Sequence, residues 1–137
     1  MNFKAFKDSI SSPAIRQVAI HWNEARRSGL IPAWSDIRPA AMAEQLPIIW
    51  SYRFDRDRKE FTARLAGDHI EQIFGKSFRK LSLGDAHSEG SFSWAHALLE
   101  RVVTEPALHR SYGRVFKHLG RSGYGERIAL PLSADGV

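Results

Sequence analysis

The sequence contains no cysteine, and this excludes several kinds of chemistry at once. A chain without cysteine forms no disulfide framework, offers no thiolate nucleophile and binds neither zinc nor an iron–sulfur cluster through sulfur. Long apolar runs are missing as well, and the first residues, MNFKAFKDSI, alternate charged with single apolar side chains. We therefore expect neither a secretory signal nor a membrane span, and we place the protein in the cytoplasm.

The motifs of common enzyme classes are also missing. The sequence has no Walker-type loop, no GxSxG and no GxGxxG, so it predicts neither a nucleotide fold nor a serine hydrolase. The glycine-rich GRSGYGER joins two predicted strands and does not open a helix, so it lacks the helix N-terminus that would hold a phosphate. Because we find no nucleophile–base pair, we predict that the protein is not an enzyme.

Histidines are few, and their spacing does not form a metal motif. No two of them stand four residues apart and no HExxH occurs, which predicts no metal site. The six are His21, His69, His87, His96, His109 and His118.

What the sequence does contain is typical of one globular domain. It has 137 residues, of which 43% are hydrophobic and 26% charged, enough for a single core. The net charge is +5, and five basic residues fall in the last two predicted strands. A solvated strand face is one interpretation; a basic nucleic-acid or nucleotide-binding module is the alternative. These residues are Arg110, Arg114, Lys117, Arg121 and Arg127.

An amphipathic helix is predicted over residues 13–28. Ser12 can cap it and Pro13 suits its first position. An apolar stripe formed by Ile15, Val18, Ala19 and Trp22 follows helical spacing, and such a stripe must be buried. We assign residues 1–30 to an N-terminal helical extension and predict that the stripe forms a dimer or partner face; capping an open sheet is the other interpretation.

The remaining pattern alternates strands and helices. A short helix is predicted at residues 39–45, a hairpin at 48–67 with its turn at 55–59, and a short helix at 68–74. A longer helix follows, capped by Ser88 or Ser91 and ended by Pro106, and then two strands with a turn at 120–125. Pro131 falls within the last strand, where it would donate no ladder hydrogen bond. Strands on both sides of a helical middle predict an α+β fold with an antiparallel sheet covered on one face.

Three segments resemble a PAS domain, in particular a bacterial single-domain branch, the fifth catalogued PAS subfamily. They are SPAIRQVAIHWNEARRSGLIPAWSDIRPAAMAEQLPIIW, FTARLAGDHIEQIFGKSF and GERIALPLSADG. The resemblance departs at Asp68, where a small or hydroxyl residue is expected, and after Val137, where the closing strand is missing. We assign residues 31–137 to a C-terminally incomplete PAS-like domain. We expect the chain to continue; the N-terminal segment or a partner chain filling the gap are the alternatives.

The resemblance implies a ligand pocket between the middle helices and the sheet. The side chains expected to point into it are those of Trp50, Phe61, Leu65, Ile70, Phe74, Phe78, Leu81, Trp94 and Leu98. Simple core packing is the other interpretation of these residues. Haem-binding relatives use a histidine from the helical side, for which only His69 and His96 are candidates, and we predict no cofactor. Without cysteine, no chromophore is linked covalently as it is in some relatives.

The function implied by the resemblance is a non-catalytic sensory or signalling domain. It would bind a small ligand or a partner protein and relay a signal through the N-terminal helix, with a homodimer formed through that helix. An enzyme of the SnoaL-like cone type is a further alternative, which requires a buried Asp–His pair that the sequence does not identify.

Overall fold

The computed structural model describes residues 2–26, 29–67, 89–118 and 121–133. In these ranges the helices are α1 (Phe3–Ser9), α2 (Pro13–Ala25) and α3 (Glu89–Thr104). The strands are β1 (Trp50–Asp55), β2 (Glu60–Ala66), β3 (His109–His118) and β4 (Arg121–Ala129). Three 3₁₀ turns, at Trp34–Asp36, Pro39–Met42 and Leu46–Ile48, connect α2 to β1. This confirms the predicted α+β class; the helix predicted at residues 68–74 lies outside the described residues.

Helix α2 begins as its sequence predicts. The Ser12 hydroxyl accepts a hydrogen bond from the Ile15 amide at 3.3 Å, and Pro13 occupies the first helical position. Such a cap satisfies an amide that has no partner within the helix. The described helix ends at Ala25, earlier than the predicted residue 28.

Helix α1 was not predicted, because its seven residues are too few to form a helix from propensity alone. The Asn2 side chain caps it by accepting from the Ala5 amide at 3.1 Å. The Phe3 ring stacks on Trp22 of α2 with centroids 6.3 Å apart. The Arg26 guanidinium lies over both rings, 6.0 Å from Phe3 and 5.3 Å from Trp22. Tertiary contacts with α2 therefore stabilise α1 where sequence periodicity is weak.

Strands β1 and β2 form the predicted antiparallel hairpin. Pairing runs from Trp50 opposite Ala66 to Asp55 opposite Glu60, and the register shifts between Ser51 and Tyr52. The Asp55 carboxylate accepts from the amides of Asp57 and Arg58, at 3.0 and 3.1 Å, and so holds the turn. Lys59 completes the turn in the left-handed region with φ 55°.

Strands β3 and β4 form a second antiparallel hairpin, from His109 opposite Ala129 to His118 opposite Arg121. The predicted turn at 120–125 is too long, since Arg121–Gly125 already belongs to β4. Strand β4 ends at Ala129, so Pro131 lies beyond the ladder and its missing amide breaks no strand pairing. The Pro131 side chain is buried.

Among the described strands, β1 pairs with β2 and β3 pairs with β4, giving two two-stranded sheets. The segment after β4 is held by the N-terminal part of the chain. Ala33 and Ser133 form a parallel bridge, in which the Trp34 amide donates to the Ser133 carbonyl at 2.9 Å. The Ser133 amide in turn donates to the Pro32 carbonyl at 3.0 Å. Residues 32–34 therefore pair with the segment that follows β4.

Candidate functional site

An aromatic cluster joins the first hairpin to α3. Phe61 of β2 is 3% exposed and packs against Ala95 of α3. The ring of Phe54, its cross-strand neighbour, lies 4.6 Å from Phe61 between centroids, and Tyr52 lies edge-on at 6.2 Å. Leu99 and Val103 pack against the same cluster. Because aromatic rings bury large areas, this contact holds the hairpin on the helix.

His96 fixes the turn of that hairpin to α3. Its ring meets Phe61 edge-on at 5.6 Å, and its Nε2 lies 2.6 Å from the Lys59 carbonyl oxygen. The Nδ1 atom faces the Glu100 carboxylate at 3.8 Å. The Nε2 of this haem candidate is therefore engaged by the backbone of the hairpin. The other candidate, His69, lies outside the described residues.

The expectation that Trp94 points into the interior with Phe61 is not met. Trp94 is 50% exposed, while its neighbour Ala95 is 5% exposed and contacts Phe61. Adjacent residues point about 100° apart around a helix, so Ala95, and not Trp94, faces the hairpin. His96, which the sequence suggests only as a haem-ligand candidate, faces Phe61 in its place.

The other predicted pocket residues fall into two groups. Trp50 and Leu98 are half-buried, and the Trp50 ring lies 5.3 Å from Tyr52. The remaining candidates, whose side chains lie outside the described part of the chain, are Leu65, Ile70, Phe74, Phe78 and Leu81. Of the predicted pocket residues, the structure places Phe61 in the cluster between the hairpin and α3, next to Tyr52, on which the Trp50 ring packs.

The Tyr52 hydroxyl stands in an apolar setting at this site. Burial raises the pKa of Tyr52 well above its ordinary value, and the neighbouring Trp50 side chain opposes this effect. The hydroxyl therefore stays protonated at any physiological pH.

A buried carboxylate fastens the start of α2 to the second hairpin. The side chain of Glu126 is 6% exposed. It accepts hydrogen bonds from the amides of Ser11 and Ser12 at 2.8 and 2.7 Å and from Arg110 Nε at 2.8 Å. Arg110 Nη2 lies 2.7 Å from the same carboxylate in an ion pair. Burial raises the pKa of Glu126, but these hydrogen bonds outweigh it and place the pKa below its ordinary value. The sequence reading missed this residue, since the contact joins segments more than a hundred residues apart.

Trp22 makes a second connection between α2 and the same part of the chain. Its Nε1 donates to the Pro131 carbonyl at 2.8 Å. Trp22 and Ala19 are 2% and 0% exposed within the single chain, so these members of the predicted dimer face are already covered. Ile15 and Val18 are half-buried. The stripe is buried as predicted, but largely by the chain itself.

The basic residues of the last two strands differ in their surroundings. Arg110 pairs with Glu126, whereas Arg127 lies over the Trp94 ring at 4.7 Å and donates from Nε to the Ser111 hydroxyl at 3.2 Å. The side chains of Arg114, Lys117 and Arg121 lie outside the described part of the chain. Intramolecular contacts of Arg110 and Arg127 weaken the interpretation of a continuous nucleic-acid surface.

A groove of about 480 Å³ separates α2 from the turn at residues 39–45. It is not the pocket predicted from the sequence, which is expected between the middle helices and the sheet. Its lining residues are Gln17, Ile20, His21, Glu24, Ala40, Ala41, Ala43, Glu44 and Gln45. The His21 Nε2 accepts from the Arg38 amide at 3.1 Å and so helps to hold the two sides at this spacing.

The family profile described as PAS domain matches residues 10–136. The chain belongs to the PAS domain family. The match includes α2, both hairpins and α3, so the helix assigned to an extension lies within the matched part of this PAS domain. Comparison with curated proteins found no match, and comparison with solved structures found none.

PAS domains are generally sensory or signalling modules without catalytic activity. In the described part of this PAS domain, no helix is long and apolar enough to cross a membrane. The same ranges contain no group of three histidine or acidic side chains placed to hold a metal ion.

Proposed function

We propose that this PAS domain is a cytoplasmic sensory or protein-interaction module. It binds a small ligand or a partner protein on the side of the sheets that faces α3, and it relays binding through α2. The proposal includes a homodimer that forms through Ile15 and Val18, the half-buried residues of the α2 stripe. The observation that carries it is the double attachment of α2 to the second hairpin and to the segment that follows it.

The two attachments lie at opposite ends of α2. Ser11 and Ser12, at its start, donate to Glu126 of β4, and Trp22, near its end, donates to Pro131. A displacement of β4 therefore acts on the whole length of the helix. Signal relay also requires that the ligand bind two conformations with different affinity.

The relay can be measured as a distance. Because the chain has no cysteine, E24C and R56C provide two unique spin-label sites, one on α2 and one in the turn of the first hairpin. Both native residues are exposed. A bound ligand is expected to shift the distance distribution between the labels, and E126Q is expected to reduce that shift because it removes one attachment.

The ligand itself is sought by native mass spectrometry of the purified protein, and by thermal unfolding with and without metabolites from a cell extract. A retained small molecule or a raised Tm supports the sensory version. A saturating ligand that leaves the label distance unchanged would contradict the relay through α2. No retained molecule and no change in Tm would leave only the protein-interaction version.

A further inference from the structure

Arg127 is held in one orientation with part of its guanidinium unused. The Trp94 ring covers it at 4.7 Å, and its Nε donates to Ser111, the cross-strand partner of Arg127. Among the described residues no carboxylate forms an ion pair with Arg127. The two terminal nitrogens are therefore positioned to donate to an external acceptor.

His109 stands beside Arg127 on the same face of the hairpin. It precedes Ser111 by two residues, and residues two apart on a strand share a face. The His109 Nε2 is buried, with no hydrogen-bond partner in the described part of the chain. Burial, and then the charges of Arg127 and Arg101, lower the pKa of His109. Positive potential thus accumulates around a polar atom that lacks a partner.

Arg110, on the opposite face of the hairpin, has a carboxylate partner within the chain. Arg110 is paired with Glu126 at 2.7 Å, so charge is balanced there within the chain. Arg101 pairs with Glu105 at 2.9 Å, on the exposed surface of α3. Arg127 differs from both because its described contacts are a hydroxyl and an aromatic ring.

We propose that Arg127 and His109 form a binding site for a small anion that carries a carboxylate or phosphate group. The terminal nitrogens of Arg127 donate to the oxyanion, and His109 Nε2 donates to it in the tautomer that carries its proton there. The half-exposed Trp94 orients the guanidinium. This inference rests on the proposed function, since it names the ligand class of the sensory module.

The position of the site connects it to α2. Arg127 follows Glu126 directly in β4, and consecutive strand residues point to opposite faces. An anion bound to Arg127 therefore lies one residue from Glu126, whose carboxylate accepts from the amides of Ser11 and Ser12.

Isothermal titration calorimetry of the full chain tests the site with two probes, inorganic phosphate and benzoate, at constant ionic strength. We expect R127Q to weaken binding of the favoured probe about tenfold or more, as the loss of charge-assisted hydrogen bonds implies. R53Q is the matched control, because it removes one positive charge from an exposed position. Its affinity for the same probe should stay within about twofold of that of the parent chain, since a surface charge is screened by salt. Equal affinities of R127Q and R53Q, or no binding of either probe to the parent chain, would overturn the proposal.

An NMR titration of the His109 imidazole gives a second readout on the unaltered chain, which is independent of how well R127Q folds. The bound anion offsets the repulsion from Arg127 and Arg101, so the pKa of His109 should rise when the favoured probe is added. An unchanged pKa of His109 in the presence of a bound probe would place that probe elsewhere and overturn the site. The distance between the E24C and R56C labels distinguishes the two proposals. If an anion binds through Arg127 and the label distance does not change, the relay through α2 is contradicted while the anion site still stands.

Discussion

At the residue scale, arginine–tryptophan pairs recur in this PAS domain. The guanidinium groups of Arg26, Arg64 and Arg127 lie over the rings of Trp22, Trp34 and Trp94 at 5.3, 4.6 and 4.7 Å. The quadrupole of an indole ring attracts a guanidinium that lies over its face, and the edge of the guanidinium remains hydrated. The Arg64 pair joins β2 to the loop before β1, and the Arg127 pair joins β4 to α3, so these contacts connect elements that no strand pairing joins.

Glu126→Gln should destabilise the chain by about 3 kcal/mol, since it removes a buried charge that accepts three hydrogen bonds and leaves Arg110 without its ion-pair partner. Urea unfolding followed by circular dichroism measures the loss. Glu24→Gln, at an exposed position of α2, is the control and should change stability by less than about 0.5 kcal/mol. A Glu126→Gln chain as stable as the control would contradict this role.

The same carboxylate predicts a pH dependence with a defined sign. The pKa of Glu126 in the folded chain lies below its ordinary value of 4.5, so its ionised form contributes stability above that value. The contribution is lost as the pH falls through the folded pKa. The difference in unfolding free energy between the parent and Glu126→Gln should therefore be constant near neutral pH and shrink in acid. A difference that grows on acidification would contradict the assignment.

Gly67→Ala should be strongly destabilising because the Cβ would overlap the backbone of Leu46 and Pro47. The Gly67 amide donates to the Ile49 carbonyl at 2.8 Å, so the two segments cannot separate without losing that bond. We expect a loss of about 2–3 kcal/mol. Gly125→Ala is the matched control: nothing lies within 4 Å of its Cβ position, and it should be neutral or slightly stabilising. Thermal unfolding of both variants decides the comparison.

At the element scale, α2 depends on contacts with distant parts of the chain more than on its own propensity. Its cap and its apolar stripe are local features, but its position is set by Glu126 and Pro131. The first hairpin shows the converse: alternating apolar residues and the Asp55 turn predict it correctly, because cross-strand neighbours and turn chemistry are both local in sequence.

Trp22→Phe tests the attachment near the end of α2. The substitution keeps an aromatic ring but leaves the Pro131 carbonyl without its donor, which should cost about 1–3 kcal/mol. Trp94→Phe, at a half-exposed position, should cost less than about 1 kcal/mol. Amide hydrogen exchange should show faster exchange in α2 for Trp22→Phe, and equal exchange in the two variants would argue against the attachment.

At the scale of the whole molecule, burial of the α2 stripe within the chain limits where the proposed homodimer can form. Ala19 and Trp22 are covered internally, so a dimer would rest on Ile15 and Val18, which are half-buried. We expect size-exclusion chromatography with light scattering to show a dimer that Val18→Glu converts to a monomer, because a charge in an apolar interface has no partner.

Gln17→Glu is the control for that experiment. It adds the same charge at the neighbouring exposed position and should leave the dimer intact. A Val18→Glu chain that remains dimeric would place the interface elsewhere, and a monomeric parent chain would remove dimerisation from the proposed function.

The candidate site was only partly predictable from the sequence. Periodicity correctly places Phe61 on an interior face, since strand geometry is fixed by local dihedrals. It did not fix the rotation of α3, which decides that Ala95 and His96 face Phe61 while Trp94 lies outside. That rotation follows from the packing of α3 against a hairpin nearly thirty residues earlier in the chain.

The sequence by itself determined the order of α2, α3 and the four described strands, the cap of α2, the first turn, the family, and the absence of cysteine chemistry. These depend on residue types at short spacings and on the chain's own list of side chains. Only the tertiary structure decided that Glu126 holds the start of α2, that Trp22 is buried within its own chain, and that Arg127 lies over Trp94. Each of these contacts joins residues separated by more than thirty positions, and no local pattern specifies which distant partner a side chain meets.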